Sequence, residues 1–286
     1  MMKSLAASKI TIVGLGLMGG SLAGALKGRC SAVTGVDARP KAIEIALARG
    51  LIDDATDLRS AVSSADIIVL ATPVRVIMEL IPKIAPWLAP GSLLMDLGST
   101  KRQILEVMAA TPDHIEVLGG HPMCGKELSG VEAADPALFQ ACTFILSPLP
   151  RTSEEALALG RELVLAVGAV PLLIEGERQD YLVGTLSHLP YLLACSLVST
   201  AHETTSADPL AWQIVAGGYR DTSRVAGSDV EMWLDILMTN REHIVAAAEV
   251  CQAQLAHIVE MIASGDRARL SEMLSHIRQA RGEMFP

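Results

Sequence analysis

The first chemical signal in this chain is a set of three glycines and a carboxylate. Gly14, Gly16 and Gly19 are spaced G-x-G-x-x-G, directly after the β-branched run Ile10 to Val13 and ahead of the apolar run Leu22 to Leu26. Strand, tight turn and helix in that order make a pyrophosphate site. The first glycine permits the turn, the second leaves backbone N–H groups clear, and the third lets the helix pack closely on the strand. Leu17 and Met18 open that helix, whose N-terminus supplies unpaired N–H donors and partial positive charge. The run Ala32 to Val36 reads as a second strand and ends in Asp37, near the ~20-residue offset at which a carboxylate holds an adenosine ribose. These residues predict a dinucleotide. NAD is favoured over NADP because Asp37 would repel a 2′-phosphate, while Arg39 two residues on argues the other way.

A base and two cations come next. His121 follows the strand-like run Glu116 to Gly119, held between a glycine pair and Pro122, where a nicotinamide would lie. Hydride transfer from an alcohol carbon needs a base for the hydroxyl proton, and a neutral imidazole suits that task near pH 7. His114, His202 and His276 read as surface histidines, and His188, on an apolar helix, reads equally well as a core residue or a site residue. Arg220 and Arg224 are one helical turn apart and can face one anionic group, since Arg grips a carboxylate bidentately; a solvated pair bonded to Asp221 or Asp229 is the alternative.

The elements that must position these residues alternate. Arg39-Pro40-Lys41 opens a helix that Gly50 closes. Asp66 to Ala71, Leu93 to Asp96, Glu116 to Gly119, Thr143 to Leu146 and Val170 to Ile174 read as strands, several apolar on both faces and so buried on both. Helices are expected over Thr100 to Ala110 and Glu154 to Val167, the second with Ser153 as N-cap and Gly168 as stop. The alternation predicts a mostly parallel sheet with helices on both faces, and ligands then gather beyond the carboxyl ends of the strands. Those ends carry Gly14 to Gly19, Asp37, Thr72-Pro73, Gly98-Ser99-Thr100 and Gly119-Gly120-His121. After about Glu175 strands vanish. Tyr181 to Thr200 predicts a buried helix kinked at Pro190, and Ile244, Ala248, Cys251, Leu255, Ile258 and Ile262 form a seam for another helix. The expected fold is α/β, with a Rossmann-type dinucleotide-binding domain over 1–175 and an all-helical substrate and dimerisation domain over 176–286.

Composition narrows the class. The chain has 286 residues, room for two domains, and a formal net charge of −9, which disfavours nucleic acid or an anionic membrane as partner. Its 5 cysteines include no C-x-x-C pair, which fits a reducing compartment and suggests no metal cluster. The first residues run straight into the glycine-broken strand rather than into a signal peptide, and no apolar run reaches bilayer length without a charge, Gly or Pro. A cytoplasmic enzyme is expected.

Five segments, taken in order, resemble one family. They are Gly14 to Ser21, Asp96-Leu97-Gly98-Ser99-Thr100-Lys101, Gly120-His121-Pro122-Met123 through Ser129-Gly130, Ser187-His188-Leu189-Pro190, and Tyr219 to Ala226 with Trp233. The pattern is similar to the prephenate/arogenate dehydrogenases of tyrosine biosynthesis, and the resemblance spans nearly the whole chain. It implies NAD-dependent oxidation of a cyclohexadienyl alcohol with loss of carbon dioxide. It implies His121 as the base and Ser99 as its partner at the substrate hydroxyl. Arg224 would hold a substrate carboxylate, with Glu127 as its ionic partner in the empty site, and His188, Trp233 and the Gly217-Gly218 backbone would line the side-chain pocket of a homodimer. Two positions depart from the pattern: Tyr191 replaces a second histidine common in prephenate enzymes, and Lys126 stands where a small hydroxyl residue is common. Both bear on the choice between prephenate and arogenate.

Two rivals share the glycine loop. A β-hydroxyacid dehydrogenase needs a catalytic lysine in its second domain, and no lysine lies beyond Lys126. A non-catalytic dinucleotide sensor needs no base, whereas this chain keeps His121, Ser99 and Arg224.

Overall fold

The computed structural model of the chain describes residues 2–126 and 128–284, which divide into two compact units, 1–241 and 242–286. The first begins with β1 (Lys9–Val13), α1 (Leu17–Leu26), β2 (Ala32–Val36), α2 (Pro40–Ala48), β3 (Asp54–Ala55), α3 (Leu58–Ser63), β4 (Ile67–Leu70), α4 (Val74–Ile84) and β5 (Leu93–Asp96). It continues with α5 (Arg102–Ala109), β6 (Glu116–Pro122), β7 (Thr143–Pro148), α6 (Glu154–Ala166) and β8 (Val170–Leu173). The strands form one sheet in the order β3-β2-β1-β4-β5-β6-β7-β8, parallel throughout except where β7 runs antiparallel to β6.

Period-two alternation builds the two cores. Ile67 and Val69 of β4, with Leu93 and Met95 of β5, pack into the core shared with Leu22, Leu26 and Phe144; Ile68, Leu70 and Leu94 point to the opposite face among Ile77, Ile81 and Ile104. Ser153 caps α6 by accepting from the Ala156 N–H at 3.1 Å, and Gly50 and Gly168 hold the left-handed turns that stop α2 and α6 (φ 66° and 79°).

Helices alone follow the sheet: α7 (Gly176–Val183), a π-helical turn (Gly184–His188), α8 (Leu189–Thr205), α9 (Gly217–Ser223) and α10 (Val230–Thr239). Pro190 lies within one continuous helical run from Gly176 to Thr205, directly after the π turn. It occupies the first turn of α8, where its missing N–H is harmless, and the π turn absorbs the break. This stretch is not buried all round. Val183, His188, Tyr191 and Ala194 are covered, whereas Tyr181, Leu186 (74% exposed) and Leu193 face outward, because the chain supplies a packing partner for one face only.

The second unit consists of α11 (Arg241–Ser264) and α12 (Arg267–Met284). Along the expected seam Ile244 is buried and Ala248, Cys251 and Ile258 are half-buried, but Leu255 and Ile262 are exposed. Gly176–Thr205 and Arg241–Ser264 are long and apolar enough to cross a membrane by length and composition alone, and both are interrupted by charged residues, the first also by Gly184 and Pro190. The first carries the buried Asp180 and His188, and the second Glu242, Glu249 and Glu260.

Candidate active site

The glycine turn has the geometry its spacing predicts. Gly14 adopts φ 97°, and a Cβ there would meet the Ala71 carbonyl oxygen and Thr72 Cγ2 at 2.8 Å. At Gly19 a Cβ would lie 1.8 Å from the Gly14 carbonyl oxygen, so only glycine lets α1 sit this close to the turn. Gly16 is the N-cap of α1 and has nothing within 4 Å of where its Cβ would be. Open space thus lies over a helix N-terminus whose first turn, beginning with the half-buried Leu17 and Met18, holds no acidic side chain. That is what a pyrophosphate requires. Asp37 follows β2; its carboxylate accepts from Leu15 N at 2.7 Å and Arg39 N at 2.8 Å and pairs with Arg39 Nε at 3.3 Å. Asp37 is thereby fixed beside the turn. Thr72 and Pro73 follow β4, Pro73 as N-cap of α4, and the buried Thr72 hydroxyl has no hydrogen-bond partner among the described residues. The residues present suit a bound dinucleotide.

The second cluster lies beyond β5 and β6. His121 is not in a loop after a strand: antiparallel pairing with β7 extends β6 to Pro122 and sets His121 opposite Ile145. The ring is buried, 8% exposed, with Nδ1 lacking a partner among the described residues. Burial pushes its pKa down to about 3, with the Lys101 and His188 charges adding to the effect and the Gln179 side chain opposing it. Ser99 is half-buried and its carbonyl accepts from Gln179 Nε2 at 3.4 Å. Next to it, Asp96 and Lys101 form an ion pair with no solvent exposure on either side chain.

A third cluster sits on the helices. His188 ends the π turn, 1% exposed, with Asn240 Nδ2 donating to its Nδ1 at 3.1 Å; burial lowers its pKa to about 4. Its ring meets Trp233 edge-on at 5.9 Å, and Trp233 stacks on Tyr191 at 3.7 Å and 4°. Asp180 accepts from the Lys101 and Arg102 N–H groups at 2.7 and 2.8 Å, which ties α7 to the start of α5. Arg220 and Arg224 are exposed on α9 and the turn after it, as is Gly217 at the head of α9. Glu127 lies outside the described residues. Sequence reasoning missed Gln179, Asp180 and Asn240, polar residues whose partners are far away in the chain.

Two family models divide the chain: the nucleotide-binding domain of prephenate dehydrogenase matches residues 22–173, and its dimerization domain matches residues 175–276. The chain belongs to the prephenate dehydrogenase family. A prephenate dehydrogenase of Lactococcus lactis is 35% identical over 95% of this chain and 77% of its own length. A cyclohexadienyl dehydrogenase of Zymomonas mobilis is 32% identical over 95% of this chain and 94% of its own. The crystal structure of a prephenate dehydrogenase from A. aeolicus, in complex with hydroxyphenyl propionate and NAD+, superimposes with a TM-score of 0.90 at 32% identity, covering 99% of this chain and 100% of that one.

The two depressed imidazoles give this family member an acid signature. Between pH about 6.5 and 3 the unfolded chain takes up protons that folded His121 and His188 refuse, so stability falls as pH falls through that window and is untouched above it. Asp96 and Asp180, whose carboxyls burial pushes up, work in the opposite sense. Urea unfolding of wild type and His121→Asn at pH 7 and pH 4.5 isolates the imidazole: the variant should lose less stability on acidification than wild type, and an equal loss would mean that His121 is not desolvated.

Proposed function

We propose that this chain is an NAD-dependent prephenate dehydrogenase, converting prephenate to 4-hydroxyphenylpyruvate with loss of carbon dioxide. The observation that carries the reading is the buried, neutral imidazole of His121, at the end of β6 in a sheet whose first turn is shaped for a dinucleotide. When bound, the nicotinamide supplies the hydride acceptor. His121 accepts the proton of the substrate's 4-hydroxyl, for which its pKa keeps a ring lone pair available at neutral pH. Ser99 hydrogen-bonds to the same hydroxyl and orients it. As hydride departs from the 4-carbon, the ring carboxylate leaves as carbon dioxide and the ring becomes aromatic, which makes the step irreversible. Arg224, with Arg220 one turn away, grips a substrate carboxylate. His188, Tyr191, Trp233 and the Gly217 backbone line the side-chain pocket. The Gly14, Gly16, Leu17, Met18, Gly19, Asp37, Thr72 and Pro73 positions hold NAD.

Residues 1–175 serve the cofactor and 176–286 the substrate and a homodimer, a division supported by the last strand ending at Leu173. Outward apolar side chains suited to pairing lie on α8, such as Leu193 and Val198, and, in the second unit, on α11, such as Leu255 and Ile262. All 5 cysteines are free thiols, in keeping with a reducing cytoplasm. Tyr191 favours a second reading, arogenate or both substrates, because its phenol, stacked on Trp233, stands where the resemblance places a second histidine in many prephenate enzymes. NADH formation at 340 nm with prephenate and with arogenate, each with NAD+ and NADP+, tests all of this. Activity with prephenate and NAD+ is expected; preference for arogenate would show that Tyr191 has re-tuned the pocket, and silence with both would favour the dinucleotide sensor.

A further inference from the structure

The ladder between β5 and β6 stops at Met95↔Leu118, yet Ser99 and His121 both lie past that point. What spans the gap is one side chain. Asp96 Oδ2 accepts from Gly98 N at 2.7 Å, inside the turn that leads to Ser99, and Asp96 Oδ1 accepts from Gly120 N at 3.2 Å, the residue before His121. The approach is close: a Cβ on Gly120 would fall 2.5 Å from the Asp96 carbonyl oxygen, and one on Gly119 3.1 Å from Lys101 Cδ. Lys101 completes the arrangement by pairing with Asp96 Oδ2 in full burial.

A buried ion pair is a poor source of net stability, since desolvation of both charges offsets most of their attraction. Its retention here needs another reason. We propose that Asp96 is a positioning residue for the reaction, its carboxylate stapling the Ser99 turn to the His121 strand beyond the end of their ladder, with Lys101 as its buried counter-ion. This rests on the dehydrogenase reading for its kinetic consequence. Its electrostatic consequence stands apart: the groups around His121 are Lys101 ahead of α5, His188 on the π turn, Gln179 on α7, and Asp96 through Gly120, with Asp180 of α7 on the Lys101 N–H. Of these, Lys101 carries the fixed positive charge nearest the imidazole, so its removal lets His121 take a proton at higher pH.

The test is the full chain with Asp96→Asn and Lys101→Met together, which leaves no unpaired buried charge. Cofactor binding by fluorescence titration and the thermal midpoint report the fold. We expect NAD+ affinity within about threefold of wild type, a kcat lower by roughly 10²-fold, as for a misplacement of about 1 Å between reacting groups, and KM little changed. The His121 imidazole proton resonance should titrate at higher pH than in wild type. A folded double variant with kcat within threefold of wild type would overturn the proposal, as would a loss of kcat matched by an equal loss of cofactor affinity. If the double variant does not fold, Lys101→Met alone decides; it leaves Asp96 without its counter-ion, so its thermal midpoint should lie below wild type, and its rates are read at a temperature where it is folded. It keeps both N–H bonds to Asp96, so kcat should fall less than about tenfold while the His121 titration moves up; a larger fall with an unmoved titration would overturn the positioning role. The titration is read without substrate, so its result is independent of whether prephenate proves to be the substrate.

Discussion

His121→Asn should lower kcat by ~10²–10⁴, the usual range for loss of a general base, with NAD+ affinity nearly unchanged. Asparagine fills most of the imidazole's volume but cannot take up a proton at neutral pH. The cofactor turn beyond β1 shares no residue with β6, so binding there gives an internal control. The wild-type pH profile should show no acid limb from His121 in the free enzyme until pH approaches 3, because burial and the Lys101 charge keep the ring neutral above it. Steady-state rates and a fluorescence titration of the same variant decide the matter. Near-normal turnover would move the base elsewhere.

Gly19→Ala and Gly16→Ala should fail in different ways. The Gly19 substitution drives a Cβ to 1.8 Å from the Gly14 carbonyl oxygen and 3.0 Å from Ala71 Cβ, so α1 must move off the turn. Overpacking of this kind costs about 1–3 kcal/mol, and the displaced helix N-terminus should carry roughly 10²-fold of the cofactor affinity with it. Gly16 sits at φ −78° with nothing within 4 Å of its Cβ position, so alanine there fits the fold. Its methyl instead enters the space above the helix N-terminus that a pyrophosphate needs. Thermal melts and NAD+ titrations should therefore show Gly19→Ala losing both stability and affinity and Gly16→Ala losing affinity alone. Equal melting losses at both positions would mean that the second glycine is structural too.

The parts legible beforehand share a cause. Strands β1, β4, β5 and β7 lie within a residue or two of their apolar runs because burial on two faces leaves little room for polar side chains; β2 and β8 also match their runs, although β2 is half-buried and Val170, Leu172 and Leu173 of β8 are exposed. The turn at Gly14, the cap at Ser153 and the stops at Gly50 and Gly168 are equally local. Strand β3, two residues long, carries no periodicity to detect. The extra length of β6 came from its antiparallel neighbour β7, and with it the change of His121 from a loop residue to a strand residue. The uncovered side of α8 was also out of reach, since an all-apolar sequence does not say how many faces its own chain will cover.

By itself, then, the sequence determined which residues could do chemistry: a phosphate turn, an acidic strand end and a histidine at the end of β6, all properties of residue type and short spacing. Only the tertiary structure decided how those residues are tuned. Asp96 meets Gly120 24 positions away, Asp180 meets Lys101 79 away, and Asn240 meets His188 52 away. Burial and these long-range contacts set the charge of an imidazole, because both depend on what surrounds a side chain in space and not on its neighbours along the chain.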